Sequence, residues 1–193
     1  SVSFSYNNET DVLTDINFKL EKGDFLGIVG PVGSGKSTLI NILTRYLEPT
    51  QGKILINGID YKEFKYSQVW QNIKLVPQEP FLFSETVKNN VLYGTGDFTQ
   101  NDQSKSEILK NAIRQVGIEN EIMALPHQYE AQLGERGVNL SGGQKQRLTL
   151  ARGLVVNAPV LLLDDTLSAV DAETEERIQK ELYQANPDQI RIV

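Results

Sequence analysis

Gly30-Pro31-Val32-Gly33-Ser34-Gly35-Lys36-Ser37-Thr38 fits the pattern G-x-x-x-x-G-K-[ST], and this stretch decides the fold. Its glycines let the backbone curl until successive N–H groups point inward at an anion, and a Cβ there would block the approach. Lys36 supplies a point charge for the β- and γ-phosphates of a nucleoside triphosphate, and Ser37 offers a hydroxyl to Mg²⁺. The flanks agree. Phe25-Leu26-Gly27-Ile28-Val29-Gly30 is a short apolar run that reads as a buried strand, and Ser37 to Tyr46 reads as a helix. The phosphates of a bound nucleotide would then rest on that helix's N-terminus.

A carboxylate for the Mg²⁺ side should follow, and one does. Ala158-Pro159-Val160-Leu161-Leu162-Leu163-Asp164 is a continuous apolar run ending in acid, as a fully buried parallel strand would. Asp164 then emerges at the strand's C-terminal edge, where α/β sheets bind ligands.

Between the two motifs lies Leu140-Ser141-Gly142-Gly143-Gln144, which reads as a helix start. Ser141 can cap it, the two glycines leave N–H groups uncovered, and Leu148, Ala151 and Val155 form an apolar stripe behind. An ordinary capped surface helix would look the same, but in this chain it adds a second anion site.

Together these residues resemble the nucleotide-binding domain of an ATP-binding cassette (ABC) transporter, over essentially the whole chain. The resemblance implies an α/β fold of the P-loop NTPase class, with a RecA-like core, an antiparallel β subdomain and a helical subdomain. Residues 1–80 would hold the antiparallel region and the phosphate loop, 81–153 the helical part with LSGGQ, and 154–193 the return to the core sheet. ATP and Mg²⁺ are the implied ligands. Gly30, Pro31, Val32, Gly33, Ser34, Gly35, Lys36, Ser37 and Thr38 would cradle the phosphates. Ser37, Gln78 and Asp164 would face the metal. Tyr6 matches the aromatic that stacks on adenine, although on spacing alone it reads equally as core. Ser141, Gly142, Gly143 and Gln144 would touch the γ-phosphate of ATP held by a second such domain, in a head-to-tail dimer. Lys36, Gln78 and Asp165 are the implied catalytic residues. Ser168-Ala169-Val170-Asp171 resembles the loop that communicates across the dimer, while Asp171 is equally readable as the cap of a helix from Ala172 to Gln184.

Two further segments resemble exporters. One is Phe81 to Tyr93, after the Gln78 loop. The other is Leu125 to Gly137, ending Gly134-Glu135-Arg136-Gly137, in which Gln132 stands where many exporters have Glu. The implied setting is the cytoplasmic face of a membrane, with a transmembrane domain as partner.

The departure is Asp165. Hydrolytic members of the family mostly place Glu directly after the Asp164 equivalent. Aspartate is shorter by one methylene, and a misplacement of about 1 Å can lower a rate on the order of a hundredfold. The run Asp164-Asp165-Thr166-Leu167-Ser168-Ala169-Val170-Asp171 resembles the degenerate half of asymmetric exporters, which implies a different partner carrying Glu. A homodimer that tolerates Asp, and a non-hydrolysing nucleotide sensor, are the alternatives.

The net charge of −6 and the lack of a basic run argue against nucleic acid as a partner. No apolar run approaches the roughly 18 residues of a membrane span, and no signal peptide is visible. The stretch from Lys36 to Asp164 holds no sustained heptads, against the coiled-coil insertions of chromosome-maintenance relatives. The chain reads as cut at both ends, with the family's switch histidine falling after Val193. His127 is expected in a surface loop, without a catalytic role. Asn57-Gly58 reads as a hairpin turn after a Lys53–Ile56 strand. Ile108, Leu109, Ala112, Ile113 and Val116 form a helical apolar face expected in the core, and a polar loop is expected over residues 94–106.

Overall fold

The computed structural model describes residues 1–7, 10–96, 103–137 and 139–193. Of the polar loop expected at 94–106, residues 97–102 lie outside that description, and residues 103–106 are already helical. The chain forms two compact units, the first comprising Ser1–Leu75, Ala158–Asp164 and Asp188–Val193. It carries β1 (Val2–Phe4), β2 (Leu13–Ile16), β3 (Phe25–Leu26), α1 (Lys36–Leu43), β4 (Gln51–Gly52), β5 (Leu55–Ile56), β6 (Ile59–Asp60), α2 (Tyr66–Asn72), β7 (Ile73–Val76, at the boundary), β8 (Val160–Leu163) and β9 (Ile190–Ile192).

Alternation makes β1: Val2 and Phe4 are buried while Ser3 is less so. It pairs antiparallel with β2 on one side and β4 on the other. The strand expected over Lys53–Ile56 is instead divided. Gly52, at φ 83°, turns the chain after β4, where a Cβ would run into the Ser1 carbonyl. Only Leu55–Ile56 then pairs, antiparallel with β6. Between those strands Asn57 (φ 51°) and Gly58 (φ 83°) both take positive φ, which a type I′ hairpin requires.

A second sheet, in the order β3-β9-β8-β7, positions the site. β9 runs parallel to both neighbours, with Leu26, Ile192 and Leu162 in one row. Leu161, Leu162 and Leu163 are buried, as the apolar run ending at Asp164 requires. The strand expected over Phe25–Gly30 differs. Its regular part is two residues long and Phe25 is exposed, although the ladder continues with Ile28 N–H donating to Val193 O at 2.7 Å. At the sheet edge only Leu26 and Ile28 face the core.

α1 ends three residues before the expected Tyr46. Thr44 Oγ1 donates back to Ile40 O (2.9 Å), and Arg45 turns to φ 61°. The guanidinium of Arg45 then fastens the turn after β6, donating to the carbonyls of Tyr61 (3.1 Å), Lys62 (3.2 Å) and Phe64 (2.6 Å).

The second unit comprises Val76–Asn157 and Asp165–Pro187. It carries α3 (Val87–Leu92), α4 (Gln103–Gln115), α5 (Glu119–Met123), α6 (Gly142–Leu154) and α7 (Ala172–Ala185). Both α3 and α4 pack on α6. On the predicted apolar face Leu109, Ala112, Ile113 and Val116 are buried, but Ile108 is exposed at its margin. Gly117 (φ 62°) closes α4 as Ile118 N–H reaches back to Ile113 O.

The two exporter-like segments meet in this unit. Val87 N–H donates to Ala131 O and Leu133 N–H to Glu85 O, flanking a Thr86–Gln132 bridge. Arg152 of α6 fixes the first of them, donating to Phe81 O (2.7 Å), Asn90 O (2.8 Å) and Asn90 Oδ1 (2.9 Å). His127 lies in an exposed turn, as expected.

The hairpin offers a clean test of backbone strain, because nothing lies within 4 Å of a Cβ built on Gly58. Gly58→Ala should therefore lower stability by about 1–2 kcal/mol through positive φ alone. Urea denaturation should show a lower midpoint with an unchanged slope.

Candidate nucleotide-binding site

The phosphate loop is built from the end of β3 and the start of α1. Gly33 (φ 83°) and Gly35 (φ 92°) both lie in the left-handed region. Gly35 is further constrained by space, since a Cβ would sit 2.9 Å from Leu13 Cδ2 and 3.2 Å from Val12 O. No side chain caps α1. Helix geometry therefore leaves the N–H groups of Lys36, Ser37 and Thr38 without an intrahelical acceptor, which is how an anion site is made. Lys36 Nζ lies over the loop, donating to Gly30 O (2.5 Å) and Pro31 O (3.0 Å). Pro31, Val32, Ser34 and Ser37 are exposed, and Thr38 is buried.

Asp164 follows β8 directly. Its strand lies two places from β3 in the same parallel ladder, about 10 Å away at ordinary strand spacing. The acid and the phosphate loop thus leave the same edge of the sheet. Tyr6, just past β1, is 63% exposed, which removes the reading of this ring as core. Phe4 meets it edge-on, and its hydroxyl is 3.1 Å from Thr38 Oγ1.

The remaining candidates group within the second unit. Gln78, between β7 and α3, donates from Nε2 to Asp165 Oδ2 at 2.9 Å. Asp165 itself has φ 47°, a left-handed conformation that Asp tolerates better than most residues. Ser141 caps α6, its hydroxyl accepting from Gln144 N–H (3.3 Å), while Gln144 Oε1 accepts from Ser141 N–H (2.9 Å). The Ser-x-x-Gln spacing is the sequence signal of this capping box, beyond the serine cap alone. Gly142 and Gly143 retain free helix-end N–H groups.

Hard oxygen donors suit Mg²⁺. In the first unit the hydroxyl of Ser37 and the carboxylate of Asp164 are donors of that kind, and in the second the amide oxygen of Gln78 is another. Among the described residues no cluster of three or more His, Cys, Asp or Glu side chains forms a cage for a metal by itself.

Asp171 caps α7, its Oδ1 accepting from Thr174 N–H at 2.9 Å. Hydrogen bonds from the Thr174 backbone, and then its hydroxyl, hold the Asp171 carboxyl below the usual carboxylate range. Folding thus favours the ionised form. The cap's contribution is complete above about pH 4 and is lost as pH falls through the lower folded value. Amide exchange at Thr174 should accelerate across that acidic window, and Asp171→Asn should flatten the dependence.

The ABC transporter family model matches residues 13–168. Two Staphylococcus aureus proteins (strains NCTC 8325 and COL), provisionally named multidrug export ATP-binding/permease proteins, are 44% identical over 193 residues. That is 100% of this chain and 32% of theirs. The solved structure of a bacterial Atm1-family ABC exporter with ATP bound matches with a TM-score of 0.88 at 36% identity, over 99% of this chain and 33% of that one. The chain therefore spans about a third of the length of these relatives. A phosphate loop and an acid on one edge of a parallel sheet, LSGGQ opening a helix, and matches of this extent lead to one conclusion: the chain belongs to the ABC transporter family, as an ABC ATPase domain with the P-loop NTPase fold.

Proposed function

We propose that this chain is the ATP-binding and ATP-hydrolysing motor domain of an exporter, with hydrolysis weakened at its own phosphate loop. One observation carries the reading: a left-handed glycine opens α1 without a side-chain cap and leaves its first N–H groups for phosphate, in a chain 44% identical to multidrug-export-type relatives. The solved neighbour, described as holding ATP, supports ATP as substrate.

In this reading Gly30 to Thr38 hold the triphosphate, Lys36 neutralises charge on the transferred phosphoryl group, and the Tyr6 ring receives the adenine face. Ser37, Gln78 and Asp164 would hold Mg²⁺, which would supply charge neutralisation to the phosphates. Asp165 accepts a proton from the attacking water as it adds to the γ-phosphorus, and ADP leaves. Ser141, Gly142, Gly143 and Gln144 serve the ATP of a second such domain, head to tail. Residues 1–80 and 154–193 supply the core and 81–153 the signature-bearing part. Coupling runs to a transmembrane domain, with this domain on the cytoplasmic face.

Weak hydrolysis follows from Asp165, whose carboxylate stands one methylene short of a glutamate and accepts a hydrogen bond from Gln78. The partner is then a different domain with Glu at that position. Asp165 equally favours a second reading, a sensor that binds ATP without turnover.

Single-turnover hydrolysis by the complete transporter decides between these. Asp165→Glu should raise the slow phase at this site by up to about a hundredfold, while Lys36→Ala should weaken ATP binding at least about tenfold. Rapid, equal hydrolysis at both wild-type sites would overturn the asymmetric motor. A site that stays silent with Glu in place would favour the sensor.

A further inference from the structure

We propose that Gln146 is a positioning residue that locks the loop bearing Asp165 to the glycine end of α6, so that the two move as one body. The inference rests on the ATPase reading above and adds a residue to it.

Gln146 is 6% exposed, a polar side chain on the buried face of α6 beside Thr149, Leu150 and Gly153. A buried amide needs partners at both ends. Both come from the Asp165–Val170 loop: Nε2 donates to Ser168 Oγ (3.2 Å), and Oε1 accepts from Ala169 N–H (2.9 Å). Ser168 passes the chain on, its hydroxyl donating to the Asp165 carbonyl at 3.1 Å. The hydroxyl has one proton, so the direction is fixed, running from Gln146 amide to Ser168 hydroxyl to Asp165 carbonyl. Asp165 ends it, with its carboxylate on Gln78 and its backbone at φ 47°.

The same loop lies against the start of α6. A Cβ on Gly143 would come within 2.9 Å of Ala169 O, and one on Gly142 within 3.9 Å of Ala169 Cβ. Glycine is therefore required at 143 for this close approach as well as for an open helix end. The grip of Gln146 sets where the loop rests on those glycines.

Ser168 and Ala169 are exposed, so water replaces their bonds when Gln146 is lost. Removing the amide thus frees the loop at little cost to stability, which separates positioning from simple core filling. Both hydrogen bonds of Gln146 run to residues 168 and 169 of its own unit, so ATP capture is expected to be spared.

The test is steady-state ATP turnover and half-saturation in the complete transporter, with melting temperature alongside. Variants are Gln146→Met, which keeps length and volume, Ser168→Ala, and the pair. Turnover should fall about tenfold or more in Gln146→Met and about threefold in Ser168→Ala, with half-saturating ATP within about twofold of wild type. The pair should be no slower than Gln146→Met alone, because both act through one chain of bonds. Turnover of Gln146→Met within about twofold of wild type overturns the proposal, as does a pair that multiplies the single losses. Should Gln146→Met fail to fold, an unchanged rate in Ser168→Ala overturns it alone. A wild-type transporter that neither binds nor hydrolyses ATP overturns the functional reading and this inference with it. Wild-type turnover beside an indifferent Gln146→Met overturns this inference only.

Discussion

The parallel ladder β3-β9-β8 is the constraint on which the first unit depends. Parallel strands send their C-terminal ends the same way, so a loop leaving β3 and an acid leaving β8 must reach the same edge. The row Leu26, Ile192, Leu162 fixes how far each extends past it: four residues to Gly30 and two to Asp164. The middle strand contributes no candidate residue of its own. Its work is geometric, and burial of Leu162 and Ile192 in one core makes the register costly to shift.

The two open helix ends are made differently. At α1 a left-handed glycine turns the chain and no side chain occupies the end, so three N–H groups remain for a ligand. At α6 a capping box consumes the Gln144 and Ser141 N–H groups, leaving those of Gly142 and Gly143. The first end suits a triphosphate wrapped by a loop. The second suits a single phosphoryl group presented from outside, in keeping with an exposed Ser141 and Gly142.

Most of this was legible in the sequence where a residue type has one physical use. Glycine at 35, 57–58 hairpin chemistry and the acid after a buried run each predicted their backbone. What stayed hidden depended on distant partners. Arg45 shortens α1 by fastening carbonyls from residues 61 to 64, which no local pattern announces. The Lys53–Ile56 strand broke because Gly52 lies against Ser1, and that approach is tertiary. Gln146 left no local signal, because it stands nearly opposite the stripe of Leu148, Ala151 and Val155 and its partner lies 22 residues away. That Asp171 caps α7 is likewise evident only from the Thr174 N–H on its carboxylate.

Position 165 answers two demands that pull apart. The backbone must leave β8 at φ 47°, where most side chains cost about 1–2 kcal/mol and Asp or Asn costs less. In the proposed ATPase the carboxylate must also reach the water beside a γ-phosphate, which favours the longer Glu. On that reading aspartate satisfies the first demand and falls short on the second. Glutamate reverses the balance, carrying its strain in the folded state, where it lowers stability rather than the chemical rate. That holds only while the loop keeps its conformation. Gln146, through Ser168 and the Asp165 carbonyl, is what holds it there. Loosen that grip and a glutamate at 165 relaxes its backbone, gives up its reach and forfeits the advantage of its extra methylene. The gain from a longer base is therefore conditional on a glutamine buried in a different element, and the two substitutions must be coupled rather than additive.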